Sequence, residues 1–170
     1  MRWQGLRYLF APCSGLAIRR RALELVHPLP MESFRIKADA FIAPPIALFF
    51  PVLYLDEPLG CFRIHGKNST FVHAEASAER SLSTLEGVYA HANRALRRSG
   101  LPPLAPATSW EWVKAASAAR GKRPVSLLPE GVAAIMRSAA LTPGEKVRAM
   151  ARVGARALER SFRKPRREAP

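Results

Sequence analysis

The chain has 170 residues, of which 48% are hydrophobic and 24% are charged, so it has enough apolar sequence to bury a core. This composition excludes a wholly disordered or fibrous chain. The two cysteines, Cys13 and Cys61, exclude a disulfide-dense module and a zinc site made of four cysteines. Asp39 and Asp56 are the only two aspartates, so the chain contains no Asp-x-Asp pair.

The net charge of +14 is unevenly distributed. Residues 1–75 hold nine basic and six acidic side chains, whereas residues 76–170 hold 18 and seven. Such an excess favours a polyanionic partner, which would be a nucleic acid, an anionic membrane surface or a phosphate-bearing substrate. It is equally typical of a solvated surface, and charge alone does not choose among these alternatives.

Composition divides the chain into three parts. Residues 1–73 mix β-branched and aromatic residues with Pro and Gly, and they predict an α/β region. Residues 74–163 are rich in Ala, Leu, Glu and Arg and predict a basic helical region, and residues 164–170 are predicted to be a disordered tail. The predicted fold class is therefore α/β, with a sheet-and-helix segment followed by helices.

The elements predicted in the first part alternate between strands and helices. Pro28 ends the first helix, and the pair Pro44-Pro45 predicts a kink or a restart in the helix that Asp39 opens. The strands are predicted over 14–19, 52–55 and 59–65, and the helices over 20–26 and from 39 to 43 or beyond.

The second part predicts three or four helices separated by clear breakers. Gly100 and the prolines after it end the first of them, and Gly121 ends the second. Thr142 and Glu145 have the spacing of a capping box before the last helix. The helices are predicted over about 74–98, from 108 or 109 to 121, over 129–140 and from 142 to 162.

Asp39 is a lone aspartate directly before an apolar segment. As a structural residue it is a helix cap, which is the interpretation that the residue types alone favour. A carboxylate beside a large apolar segment is also the arrangement of a desolvated general base.

Residues 61–68 form a second candidate. Strand alternation puts Cys61, Arg63 and His65 on one face, where Arg is able to clamp a phosphate and His to ligate a metal or bind a phosphate. The alternative is a solvent-facing strand end followed by a tight turn. The Ser14-Gly15 step is a third candidate, as a lining of a substrate cleft, whereas Cys13 has no adjacent base that would make it a nucleophile.

Arginines recur every four residues in the last predicted helix, and Val147, Met150, Ala151, Leu158 and Phe162 are predicted to mark its apolar side. This spacing predicts a ribbon of positive charge that contacts an anionic membrane, or an ordinary solvated helix face. Trp110 and Trp112 are not accompanied by an RNA- or DNA-binding motif, so nucleic acid is not favoured as a partner. The ribbon consists of Arg148, Arg152, Arg156 and Arg160.

The apolar run from Ala40 to Leu55 contains three prolines, and as one helix it would span about 24 Å, short of a hydrocarbon core of roughly 30 Å. We interpret it as buried core. No signal peptide is recognisable, so we expect a cytoplasmic protein that is at most peripheral at the inner face of the membrane. His73 and His91 are predicted to be surface residues.

Five segments in order resemble the acceptor-side half of the family 2 glycosyltransferases. The stretch from Phe62 to Thr70, with its arginine-x-histidine-glycine-x-asparagine order, is the most specific of the five. The resemblance implies an inverting enzyme of the α/β fold called GT-A, which uses a nucleotide-sugar donor and a glycan acceptor, here in surface glycan synthesis. The segments are Pro12–Arg20, Pro28–Pro30, Ala38–Phe41, Leu55–Leu59 and Phe62–Thr70.

The resemblance also implies roles for individual residues. Asp39 matches the catalytic base that takes the proton of the acceptor hydroxyl. Arg63 and His65 match the motif that faces the donor diphosphate and the metal, so His65 is a candidate metal ligand. Ser14 and Gly15 match the segment that lines the acceptor site.

The chain departs from the family in its N-terminal half. That half would hold the nucleotide and the aspartates for Mn²⁺ or Mg²⁺, but only eleven residues precede Pro12. We therefore expect the cation only in a complete parent enzyme, and neither a cofactor nor transfer activity in this chain alone. The alternative hypothesis is a non-enzymatic basic helical module that binds an anionic membrane surface or RNA.

Overall fold

A computed structural model describes residues 13–30, 38–55, 57, 60, 61, 63 and 78–162, with side chains up to Glu159. Within these ranges the chain forms six α-helices, and short 3₁₀ turns lie at Cys13–Gly15, Pro106–Thr108 and Pro124–Leu127. The α-helices are α1 (Arg20–Val26), α2 (Ala38–Ala47), α3 (Ala78–Arg98), α4 (Trp110–Ala119), α5 (Leu128–Arg137) and α6 (Pro143–Phe162).

The predicted α/β fold class, and with it the GT-A-like sheet, is wrong for the part of the chain that the structure describes, which contains helices and no strand. A strand needs a neighbour for its ladder of hydrogen bonds. Residues 52–55 have strand-forming side chains but run exposed and irregular, with no such neighbour among the described residues. Residues 14–19 begin instead with the 3₁₀ turn that the Leu16 amide closes onto the Cys13 carbonyl at 3.2 Å. Most of 59–65 lies outside the described residues.

The two short helices of the first part have the predicted positions. Helix α1 ends at Val26, two residues before Pro28, as expected. Helix α2 runs through Pro44 and Pro45, so the predicted restart does not occur. Both prolines are buried, and their packing compensates for the hydrogen bonds that two missing amides remove from the helix.

Helix α3 lies at the centre of the molecule and contacts α1, α2 and α4. Its N-terminal half packs Val88 against Phe41 of α2, and its C-terminal half packs Tyr89 and Leu96 against Leu104. The Arg98 guanidinium donates a 2.7 Å hydrogen bond to the carbonyl of His27 at the end of α1. The helix therefore joins the two short helices to the rest of the chain.

The largest core lies among α4, α5 and α6. Ser109 caps α4, since its hydroxyl accepts a hydrogen bond from the Trp112 amide at 3.2 Å. Thr142 and Glu145 form the predicted capping box of α6, with the Thr142 amide and hydroxyl donating to the Glu145 carboxylate at 2.9 and 2.8 Å. The core residues are Trp110, Trp112, Val113, Ala116, Leu127, Ile135, Leu141, Val153 and Ala157.

Two glycines end helices as predicted. Gly100 and Gly121 adopt φ of 67° and 60°, the left-handed conformation that glycine enters without a steric penalty. The amides of Leu101 and Lys122, one residue further on, donate to carbonyls five residues back at 2.9 and 2.8 Å. This is the Schellman arrangement, which satisfies the last carbonyls of α3 and α4.

Candidate active site

Asp39 is the second residue of α2, and its side chain is half-buried. Its Oδ1 atom accepts a 2.9 Å hydrogen bond from the amide of Ala40. A carboxylate in the first turn satisfies an amide that has no partner within the helix, and it interacts favourably with the positive end of the helix dipole. Asp39 therefore stabilises the start of α2 through Oδ1, and its other carboxylate oxygen would be the one to accept a proton.

Phe41 fixes the position of α2, and therefore of Asp39. Its ring is 1% exposed and lies against α3, where a Cβ added to Gly87 would sit 3.4 Å from two ring carbons. The ring also meets the imidazole of His91 edge-on, with 6.2 Å between the centroids. A glycine in the middle of α3 gives the ring a flat surface on which to pack.

An open pocket of about 290 Å³ lies between the start of the described chain, α1 and α2. Ile42 of α2 is three residues after Asp39, and residues at this spacing lie on one face of a helix. Asp39 is therefore one helical turn from the pocket wall. The lining is apolar and consists of Cys13, Leu16, Ile18, Leu23 and Ile42.

The other candidates for the acceptor side lie beside this pocket. Ser14 and Gly15 are exposed in the 3₁₀ turn whose first residue, Cys13, lines the pocket. The structure thus brings the turn that contains Ser14 and Gly15 and the helix that carries Asp39 to the same pocket. Their assignment as acceptor-site residues stays a prediction.

The structure describes only one of the two donor-side candidates, Arg63 and His65. Arg63 is exposed, whereas His65 lies outside the described residues, so their shared polar face is untested. The ranges that are described contain no group of three or more His, Cys, Asp or Glu that could hold a metal ion. His65 as a metal ligand stays a prediction.

The sequence interpretation missed two features near Asp39. The first is the aliphatic lining of the pocket, of which only Ile42 has a helical spacing from Asp39 that could have pointed to it. The second is His91, which was predicted to be a surface residue but is buried under Phe41. Its spacing from Val88 and Ala95, three and four residues away, places it on the inner face of α3. Burial lowers the pKa of His91, and the positive charges of Arg94 and Arg98 lower it further.

The arginines of α6 do not form one straight ribbon. Arg148 is exposed, whereas Arg152 and Arg156 are half-buried, and the side chain of Arg160 lies beyond the described ones. Four residues turn a helix by about 400°, so each arginine is displaced by roughly 40° from the one before it. The series therefore winds from the exposed side of α6 toward the core.

The predicted apolar side of α6 was largely wrong. Val153 and Ala157 are buried, and Met150 packs partly against them, whereas Val147, Ala151 and Leu158 are exposed. The helical period accounts for this result, because Val153 and Ala157 are four residues apart on the face opposite Ala151.

Over part of its length the chain is similar to a protein named as a glycosyltransferase. Across 84 residues it is 37% identical to an uncharacterized glycosyltransferase of Nostoc sp. (strain PCC 7120). The aligned segment makes up 49% of this chain and 26% of the relative, so the chain spans about a quarter of the relative's length. No family model and no solved structure matches the chain. The similarity confirms the expected relationship to a glycosyltransferase, and the assignment to family 2 stays a prediction.

Proposed function

We propose that this chain forms the acceptor side of an inverting glycosyltransferase of family 2, with Asp39 as its catalytic base. The donor is a nucleotide sugar, and the acceptor is a hydroxyl of a glycan in surface glycan synthesis. The observation that carries the proposal is the position of Asp39, at a helix N-terminus one turn from a pocket that the Ser14 turn also borders.

The proposed reaction is a single displacement at the anomeric carbon. The acceptor oxygen forms a bond to this carbon while the bond from the carbon to the nucleoside diphosphate breaks, which inverts the configuration. The proton of the acceptor hydroxyl passes to Asp39, and the diphosphate leaves with the bonding electron pair. A positioned carboxylate contributes typically 10²–10⁴-fold to such a step.

The surroundings of Asp39 suit this role. The Ala40 amide holds one carboxylate oxygen at 2.9 Å, so the orientation of the carboxylate is fixed before the acceptor binds. Phe41, buried against Gly87, prevents α2 from shifting along α3. A base that is held in place by its own helix loses little entropy when the reactants meet.

The remaining predicted residues complete the proposal. Ser14 and Gly15 line the acceptor side, and Arg63 binds the donor diphosphate through its guanidinium. We assign His65 to the donor side, as the metal ligand. No step of the reaction as we propose it passes through a metal ion.

The test compares two acids that occupy equivalent places in their helices. Asp39 and Glu79 both lie in the first turn of a helix, so replacing each by its amide removes the same charge from the same kind of position. The protein is prepared at the length at which its source cells make it, as established by intact mass. Transfer from a panel of nucleotide sugars to glycan acceptors from the same cells is then measured.

Asp39→Asn should lower transfer by about 10²–10⁴-fold without weakening binding of the nucleotide sugar. Glu79→Gln should leave both quantities unchanged. Turnover by Asp39→Asn at the rate of the unmodified protein would remove Asp39 from the mechanism. Equal losses in the two variants would mean that charge at helix N-termini, and not a base, explains the effect.

A further inference from the structure

Helix α6 presents large apolar side chains to solvent. Val147 is 62% exposed and Leu158 46% exposed, and Ala151 and Ala155 between them are exposed as well. Their spacing of four, four and three residues keeps these four positions on one side of the helix. We call this side, made of Val147, Ala151, Ala155 and Leu158, the outer face of α6.

Charged residues flank the outer face without interrupting it. Arg148 is exposed at one edge, and Arg152, one turn further along, is half-buried and displaced by about 40° toward the core. Long arginine side chains are able to extend along an apolar surface while their guanidinium groups reach a polar boundary. The outer face thus combines apolar side chains with cations at their margin.

Helix α5 packs against α6 and also exposes apolar side chains of its own. The ammonium group of Lys146 donates a 2.8 Å hydrogen bond to the carbonyl of Met136, which brings the start of α6 to the end of α5. The side chain of Met136 is 55% exposed, and Val132, one turn earlier, is also exposed.

The charge of this part of the chain favours a polyanionic partner. Residues 143–170 contain nine Lys or Arg and three Glu, an excess of six positive charges, and five of the nine follow at position 160 or later. We propose that the outer face of α6 lies on a membrane surface rich in anionic phospholipids. Val147 and Leu158 enter the boundary between headgroups and acyl chains, and Arg148 and Arg152 bind lipid phosphates.

A lipid surface explains both the exposed apolar side chains and the arginines at their margin. The phosphates of RNA would also attract the arginines, but RNA offers no apolar phase for Val147 and Leu158. A nucleic-acid surface uses aromatic side chains for base stacking, and the outer face of α6, over residues 147–158, contains none. No helix in the described part of the chain is long and apolar enough to cross a bilayer.

Two double variants separate the contributions of apolar area and of positive charge to membrane binding. Val147→Ser with Leu158→Ser removes apolar area and keeps the charge, and Arg148→Gln with Arg152→Gln does the reverse. Each has a matched control elsewhere on the surface. Leu53→Ser with Leu55→Ser changes side chains that are 89% and 75% exposed, and Lys122→Gln with Arg123→Gln removes two exposed charges.

Binding of the full chain is measured by sedimentation with phosphatidylcholine vesicles, with and without roughly 30% phosphatidylserine. The unmodified chain should bind the anionic vesicles and not the neutral ones. The arginine variant should lose about thirtyfold in affinity and the Val147/Leu158 variant about tenfold. Both controls should bind like the unmodified chain, and melting temperatures should not differ because every altered side chain is at least partly exposed.

Three results would overturn the proposal. One is equal binding by the Val147/Leu158 variant and the unmodified chain, and another is equal weakening in the variants and their matched controls. The third is retention on single-stranded RNA, unchanged by the Val147/Leu158 substitutions, without retention on anionic vesicles. Because none of these measurements involves sugar transfer, they leave the proposed role of Asp39 untouched.

Discussion

The region of α1 and α2 and the region of α4 to α6 are held together in different ways. The region of α4 to α6 has a continuous core with two tryptophans, and side chains cap α4 and α6. The region of α1 and α2 buries small clusters, such as Ala22 and Val26 against Ile46. It contacts α3 through Phe41, through Leu48 and Phe49, and through the hydrogen bond from Arg98 to His27. The residues with predicted chemistry therefore lie in the less densely packed region, where activity tolerates or requires local opening.

The largest loss in the free energy of unfolding is expected for a substitution in the core of α4, α5 and α6. Ile135→Ala should lower the free energy of unfolding by about 4 kcal/mol, because the fully buried side chain leaves a cavity among α4, α5 and α6. Denaturant unfolding measures the loss. Val132→Ala in the same helix serves as the control and should cost less than about 1 kcal/mol, since Val132 is exposed. Similar losses in the two variants would contradict the difference in packing.

Phe41→Ala tests whether the two regions open separately. Removing the ring should weaken the docking of α2 by about 3 kcal/mol and raise hydrogen exchange of the α2 amides by about a hundredfold. The amides of α4 should keep their protection because their core does not include Phe41. Equal increases in α2 and α4 would show that the molecule unfolds as one unit.

The contact between α2 and α3 should also depend on pH through His91. The pKa of His91 in the folded protein lies below its ordinary value of 6.5, so the unfolded chain binds the proton first as the pH falls. The contribution of His91 to the free energy of unfolding is therefore fully present above pH 6.5. It declines below that pH, by at most about 1.4 kcal/mol per pH unit. His91→Gln should remove this part of the decline.

Thermal melting at a series of pH values measures the decline, and His27→Gln provides the control, since His27 is exposed. Among the described residues, Phe41 of α2 and the cations Arg94 and Arg98 of its own helix act on His91, and the two arginines do not titrate in this range. The same pH profile in His91→Gln and in the unmodified protein would exclude His91 as the cause.

Thr142→Ala should have a moderate effect. It removes the hydroxyl that donates to Glu145 at 2.8 Å and should cost about 1 kcal/mol. Hydrogen bonds from Thr142 also lower the pKa of Glu145, so this contribution is present above pH 4.5 and lost as the pH falls below it. Thr84→Ala, within α3, should be neutral or slightly stabilising. Chemical denaturation of both variants at pH 7 compares them, and a larger loss in Thr84→Ala would contradict the capping role.

The smallest effect is expected at Leu53, which is 89% exposed. Leu53→Ser should change the free energy of unfolding by less than about 0.5 kcal/mol, because no buried contact is lost. Leu96→Ser, in the cluster with Tyr89 and Leu104, should cost several times more. A loss above about 1 kcal/mol in Leu53→Ser would show that residues 51–55 pack more tightly than their exposure indicates.

Local signals in the sequence were enough to locate the helices. Pro28, Gly100, Gly121 and the Thr142–Glu145 pair act within one or two turns, and each helix that they limit was predicted to within a few residues. The strands over 14–19 and 52–55 were predicted wrongly. Residues 52–55 have the right residue types, but pairing depends on a neighbour that local sequence does not specify.

The candidate site was predicted in part. Asp39 was identified as the residue that opens a helix, but the packing of Phe41 on Gly87 spans more than forty residues of sequence, and no local pattern indicates it. His91 was misplaced because it was judged by its chemistry and not by its helical period. The same period would have assigned Val153 and Ala157, and not Val147 and Leu158, to the buried side of α6.

Asn93 shows how narrowly one position of this chain is specified. Its side chain accepts a hydrogen bond from the Leu104 amide at 2.7 Å and donates one to the Leu104 carbonyl at 2.9 Å, so it pairs with that residue as a second peptide unit would. Aspartate would lack the donor, and glutamine would place the same amide one methylene too far away. A saturation library at position 93, sorted for stability, should therefore return asparagine almost alone.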